Sequence, residues 1–123
     1  MENVTFDDIL RLKLRREEQG KAQLDIEINS LGKSLRFSSP TRDQQLDFIS
    51  ALRSGGDIAG AYPAYKQLIY DCCPLLHSDE VQKEFGTVNP SDVVDKLFTP
   101  LEVIEIGDKL SERFFHLEAD IKN

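Results

Sequence analysis

The spacing of apolar residues changes twice along this chain, and that change restricts the fold more than any other feature. From Thr5 to Gln19, Phe6, Ile9, Leu10 and Leu14 recur at helical spacing. Thr5 stands where a capping residue belongs, Asp8 follows three positions later, and Gly20 closes the segment. The period then drops to two. Ala22, Leu24, Ile26 and Ile28 alternate with Gln23, Asp25, Glu27 and Asn29, as in a strand with one buried face. Ser30-Leu31-Gly32-Lys33 supplies a turn in which Gly32 can take a positive φ, and Leu35 and Phe37 resume the alternation. A β-hairpin is expected over about residues 22 to 38.

From Pro40 onward the helical period returns, and prolines and glycines mark the joints. Thr41-Arg42-Asp43-Gln44 is a capping box that opens a helix carrying Leu46, Phe48, Ile49 and Leu52, stopped by Gly55-Gly56. Pro63 suits the first turn of the next helix, whose wide apolar face holds Tyr65, Leu68, Ile69, Cys72 and Cys73, and Pro74 ends it. Ser78 caps a short helix with Val81 and Phe85 that Gly86 closes. Asn89-Pro90 and Thr99-Pro100 repeat one device, a capping side chain followed by proline at the first helical position. The first opens a helix with Val93, Val94, Leu97 and Phe98. The second, with Glu102 completing a capping box, opens the longest helix, over about 100 to 120.

No linker or internal repeat divides the sequence. The expectation is one α+β domain, mostly α, over residues 1–123. An N-terminal helix and β-hairpin (about 5–38) precede a bundle of about five helices (about 40–121), and all share one core.

Composition and motifs bear on function mainly by exclusion. With 22 acidic and 15 basic residues the net charge is −7, which opposes phosphate-backbone binding, so no nucleic-acid partner is expected. The basic group Arg11, Lys13, Arg15 and Arg16 lies between Asp7-Asp8 and Glu17-Glu18 and reads as a locally compensated helix face. No run of about 18 apolar residues exists, and Met1-Glu2-Asn3-Val4 begins neither a basic nor an apolar leader, so neither a membrane partner nor secretion is expected. Cys72 and Cys73 are adjacent, which suits neither a long-range disulfide nor a metal pair, and a cytoplasmic location follows.

Catalytic candidates are few. Cys72 or Cys73 with His77 would be the nucleophile and base, against the simpler reading of the cysteines as small core residues. His77 and His116 belong to no spaced ligand set, and no glycine-rich phosphate loop is present. Glu102, Glu105 and Asp108 form an acidic run at the start of the last helix, either a solvated face favoured by the helix dipole or a seat for a basic partner. No enzyme activity, metal or cofactor is expected, and the work left is binding other proteins. The last helix is the candidate surface. Its stripe of Val103, Ile106, Leu110, Phe114, Leu117 and Ile121 is widened by Leu101, Ile104 and Phe115. Phe114 and Phe115 point about 100° apart. This is either a wide core-facing arc or a surface shared with another subunit or partner, with Ile104, Phe114, Phe115, Leu117 and Ile121 as protein-binding candidates.

Four stretches carry a family resemblance. They are Tyr65-Lys66-Gln67-Leu68-Ile69-Tyr70-Asp71-Cys72-Cys73-Pro74-Leu75-Leu76, Asp79-Glu80-Val81-Gln82-Lys83-Glu84-Phe85-Gly86, Pro90-Ser91-Asp92-Val93-Val94-Asp95-Lys96-Leu97-Phe98 and Glu102-Val103-Ile104-Glu105-Ile106-Gly107. In succession they resemble the tail assembly chaperones of long-tailed bacteriophages and prophages of Gram-positive bacteria. The likeness covers most of residues 40 to 107. It implies a non-enzymatic protein that binds the aggregation-prone tape measure protein in the host bacterial cytoplasm, self-associates, and is absent from the mature virion. It also implies that this length corresponds to the shorter of two forms, the longer arising by frameshift. The alternative is a structural head–tail connector or tail completion protein that stays in the particle.

Overall fold

The computed structural model describes residues 2–115. Over these residues the chain is mostly helical, with one antiparallel hairpin: α1 (Phe6–Gly20), β1 (Gln23–Ile28), β2 (Lys33–Ser38), α2 (Arg42–Gly55), α3 (Ile58–Cys72), α4 (Asp79–Phe85), α5 (Val93–Leu97) and α6 (Pro100–Phe115). Short 3-10 turns at Pro74–His77 and Pro90–Asp92 join α3 to α4 and lead into α5. The expected α+β, mostly α architecture is what forms. The expected continuation of the last helix toward residue 120 lies outside the described residues.

Local chemistry places most of the boundaries. Thr5 and Asp8 exchange hydrogen bonds at the start of α1, Thr41 and Gln44 at the start of α2, and Thr99 and Glu102 at the start of α6. Each box satisfies two backbone N–H groups that a helix N-terminus leaves without partners. In the hairpin Leu24 faces Phe37 and Ile26 faces Leu35, while Leu31 and Gly32 both donate to the Ile28 carbonyl across the turn. Gly32 sits at φ +65°, the left-handed conformation its lack of a Cβ permits. On the outer face Arg36 grips Asp25 through two hydrogen bonds of 2.9 and 3.1 Å.

The inner hairpin face closes on the helices. Phe37 is fully buried with Ile26 and Ile28, against a core of Leu68, Ile69, Cys72, Cys73, Leu76, Val93, Val94, Val103, Ile106, Leu110 and Phe114. α3 is the hub, packing on both α2 and α6. The α3–α6 approach is close because Gly107 lies under Tyr65; a Cβ there would fall 2.3 Å from Tyr65 Cδ1.

Two elements depart from expectation. α3 begins at Ile58, five residues before Pro63, because the Asp57 carboxylate accepts from Gly60 N at 2.8 Å and caps the helix. Pro63 therefore lies inside α3 and leaves the Ala59 carbonyl without its helix hydrogen bond. The second departure is larger. α1 forms, yet none of its residues is buried, and Phe6, Ile9, Leu10, Leu12 and Leu14 all face solvent. The shared core gathers the hairpin and the later helices, and α1 stands apart from it.

Candidate functional site

α3 and α6 pack against each other, with Gly107 under Tyr65, and the N-terminal turns of both helices line one side of that contact. Pro100 opens α6 and Pro63 lies in the second turn of α3, and each offers ring carbons to the groove where other residues would carry a backbone N–H. The result is an open apolar groove of about 730 Å³, floored and walled by Ile58, Ala59, Tyr62 and Pro63 of α3 and Pro100, Leu101 and Ile104 of α6. Ile58 is 76% exposed and Leu101 66%, large apolar side chains that the fold places side by side in water. Burying one such side chain is worth about 1.5–3 kcal/mol, so a protein segment laid here gains substantially.

The groove has an acidic shoulder. Beyond Ile58 and Ile104 a second hollow of about 440 Å³ is lined by Leu52, Ala61 and Tyr65 together with Asp57 and Asp108. Asp108 accepts a hydrogen bond from Tyr65 Oη at 3.0 Å, and burial followed by that bond raises the Tyr65 pKa. On the groove's other side Tyr62 Oη donates to Asp95 at 2.6 Å, while Lys66 reaches both Asp92 and Asp95. Burial, then the Asp95 hydrogen bond, pushes the Tyr62 phenol up to about 12, so it stays protonated and donating at neutral pH. Burial alone would lower the Lys66 pKa, but its hydrogen bonds to Asp92 and Asp95 outweigh that and raise it. This network fixes Tyr62, and with it one wall of the groove.

The sequence-level candidates separate into three groups. Ile104 lines the groove. Phe114 is 7% exposed and belongs to the core, and Phe115 is half-buried with its ring 5.0 Å from that of Phe48, so both serve packing. Leu117 and Ile121 lie outside the described residues. Over the described residues the arc of the last helix divides by position: Val103, Ile106, Leu110 and Phe114 face the core, and Leu101 is open. Ile58 of α3 was missed because the Gly55-Gly56 stop hides the helix start that follows. α1 supplies a second open apolar face, on residues whose periodicity gave no sign that they would be left without a partner.

The chemical candidates are structural among the described residues. Cys72 and Cys73 are buried, and burial pushes the Cys72 thiol up to about 12 and raises Cys73 as well. His77 Nε2 is hydrogen-bonded to the Tyr70 carbonyl at 2.7 Å, and its ring stacks on Tyr70 at 3.9 Å between centroids. In the acidic run, Glu102 completes the α6 cap, Asp108 holds Tyr65, and Glu105 is exposed. No cluster of three or more metal-ligating side chains is found among the described residues, and no described helix is long and apolar enough to cross a membrane. Neither a protein-family profile, nor a curated protein, nor a solved structure matches the chain.

Proposed function

We propose that this protein is a non-enzymatic tail assembly chaperone of a long-tailed phage or prophage, which binds the tape measure protein and keeps it soluble until the tail tube assembles around it. The observation that carries the reading is the open apolar groove between the first turns of α3 and α6. Such a groove accepts the apolar stripe of an amphipathic helix, the form a long helical client presents before assembly. The resemblance of residues 40 to 107 to tail assembly chaperones supplies the identity of that client. A net charge of −7 keeps a complex with an apolar client soluble through mutual repulsion. In this reading the protein acts in the host bacterial cytoplasm, self-associates, and leaves before the virion is complete.

Co-expression tests the proposal. The tape measure protein is expected in the soluble fraction only when this chain is present, and the two are expected to elute together. A tape measure protein that stays insoluble counts against the reading. Mass spectrometry of purified virions separates it from the alternative of a head–tail connector or tail completion protein: stoichiometric amounts in the particle favour the structural role.

A further inference from the structure

The fold leaves two apolar surfaces open on one chain, and they match. On α6, Leu101, Ile104, Glu105 and Asp108 fall at i, i+3, i+4 and i+7 and so share one stripe, apolar at its start and acidic at its end. On α1, Phe6, Ile9, Leu10 and Lys13 fall at the same spacing, apolar at the start and basic at the end, with Arg16 beside Lys13 one turn on. Laid parallel, the stripes set Phe6, Ile9 and Leu10 into the groove beside Leu101 and Ile104, and Lys13 against Glu105 and Asp108. The ion pair Lys13 now makes with Glu17 is exposed and 3.7 Å long, so little is lost in exchanging it.

We propose that a second copy of this chain seats its α1 in the α3–α6 groove, the two copies exchanging α1 reciprocally about a two-fold axis. A two-fold interface requires two complementary features on one surface, each used twice, which is what α1 and the groove supply. A stable interface of about 1,600 Å² divides over two arms and two grooves into about 400 Å² each, within reach of an arm whose stripe of Phe6, Ile9 and Leu10 is exposed. The chain's own groove is not the seat. Only Lys21 and Ala22 separate α1 from β1, and Ala22 is held at both ends, its N–H donating to the Gln19 carbonyl and its carbonyl accepting from Ser39 N, each at 3.1 Å. An anionic membrane surface is disfavoured as occupant, because α1 carries four acidic residues (Asp7, Asp8, Glu17, Glu18) and four basic ones (Arg11, Lys13, Arg15, Arg16) and so has no net charge.

This inference rests on the self-association proposed above, gives it an interface, and makes α1 of the second copy the occupant that a client helix displaces from the same groove. Its test is the solution mass of the purified full chain by light scattering. The wild-type protein is expected at the mass of two chains, and Ile9→Glu and Leu101→Lys each at the mass of one, with helix content unchanged because both side chains lie outside the core and a melting temperature lowered only by the lost association. Lys13→Glu is expected to weaken the dimer at least about 10-fold, and Glu105→Lys in the same chain to restore it. Mixing a Leu10→Cys chain with a Leu101→Cys chain under mild oxidation is expected to give a covalent pair of one of each. A monomeric wild-type protein overturns both the exchange and self-association. A dimer that survives Ile9→Glu or Leu101→Lys overturns the exchange alone. So does a bond closing within one chain when both cysteines are on it, or α1-dependent binding of a monomer to phosphatidylglycerol vesicles.

Discussion

Lys66 shows how single residues hold the site in shape. Its side chain is 19% exposed, and it contacts Asp92 and Asp95 from the next helical segments while Tyr62 shares Asp95. Burial pushes the Asp95 carboxyl up, but hydrogen bonds from Lys66 and Tyr62 and the Lys66 charge outweigh it and hold the pKa below its usual value. A carboxyl with a lowered folded pKa stabilises the fold above the unfolded value, near pH 4, and that contribution disappears as pH falls through the folded value. Stability is therefore expected to decline from about pH 4 downward, and less steeply in Lys66→Met, which at neutral pH costs on the order of 1 kcal/mol because both carboxylates remain partly solvated. Chemical denaturation at a series of pH values checks both. The cysteines make a second residue-scale case: buried thiols with raised pKa values should resist iodoacetamide in the folded protein and react only on unfolding. Phe115 is a third. Packed on Phe48, it is expected to cost about 1–3 kcal/mol when changed to Lys, seen as a lowered melting temperature.

Among the elements, α3 and α6 carry the architecture, and Gly107 sets how closely they approach. A glycine in mid-helix costs about 1 kcal/mol relative to alanine in helix propensity alone, so Gly107→Ala would stabilise an isolated helix. Here the added methyl meets the Tyr65 ring, and the variant is expected to lose about 1–3 kcal/mol, measured by urea unfolding. α1 gives the opposite expectation: in the monomeric Leu101→Lys background Leu10→Ala should change stability by less than about 0.5 kcal/mol, while Leu68→Ala in the core costs about 2–5 kcal/mol. The elements themselves were largely legible in the sequence. Thr41-Gln44, Ser78 and Thr99-Glu102 mark helix starts through side chains that bond their own backbone, and the two-residue period from Ala22 to Phe37 marks the hairpin. Where α3 starts was not legible, because Pro63 is the stronger local signal and Asp57 caps from within a glycine-rich stretch. Nor was the fate of α1: its stripe has the period of a core-facing helix, and periodicity records that a face is apolar but not what covers it.

At the scale of the molecule, one core draws the hairpin and the later helices together and, among the described residues, leaves apolar surface open at the α3–α6 groove and on α1. The candidate site was only partly legible. Ile104 was identified from the excess of apolar residues on the last helix, but the groove is lined by the N-terminal turns of two helices far apart in sequence, and no local pattern encodes it. Phe114 and Phe115, adjacent and about 100° apart, both find packing because Phe114 turns into the core while Phe48 of α2 meets the ring of Phe115. The account stands most directly on the groove, and a binding measurement on groove variants tests it. Retention of the tape measure protein on the immobilised chain is predicted to fall at least about 10-fold with Ile58→Lys and Leu101→Lys together, about 1.4 kcal/mol or more, while the helix content by circular dichroism stays that of the wild type. Full retention by that variant, or no retention by the wild-type chain, would contradict it.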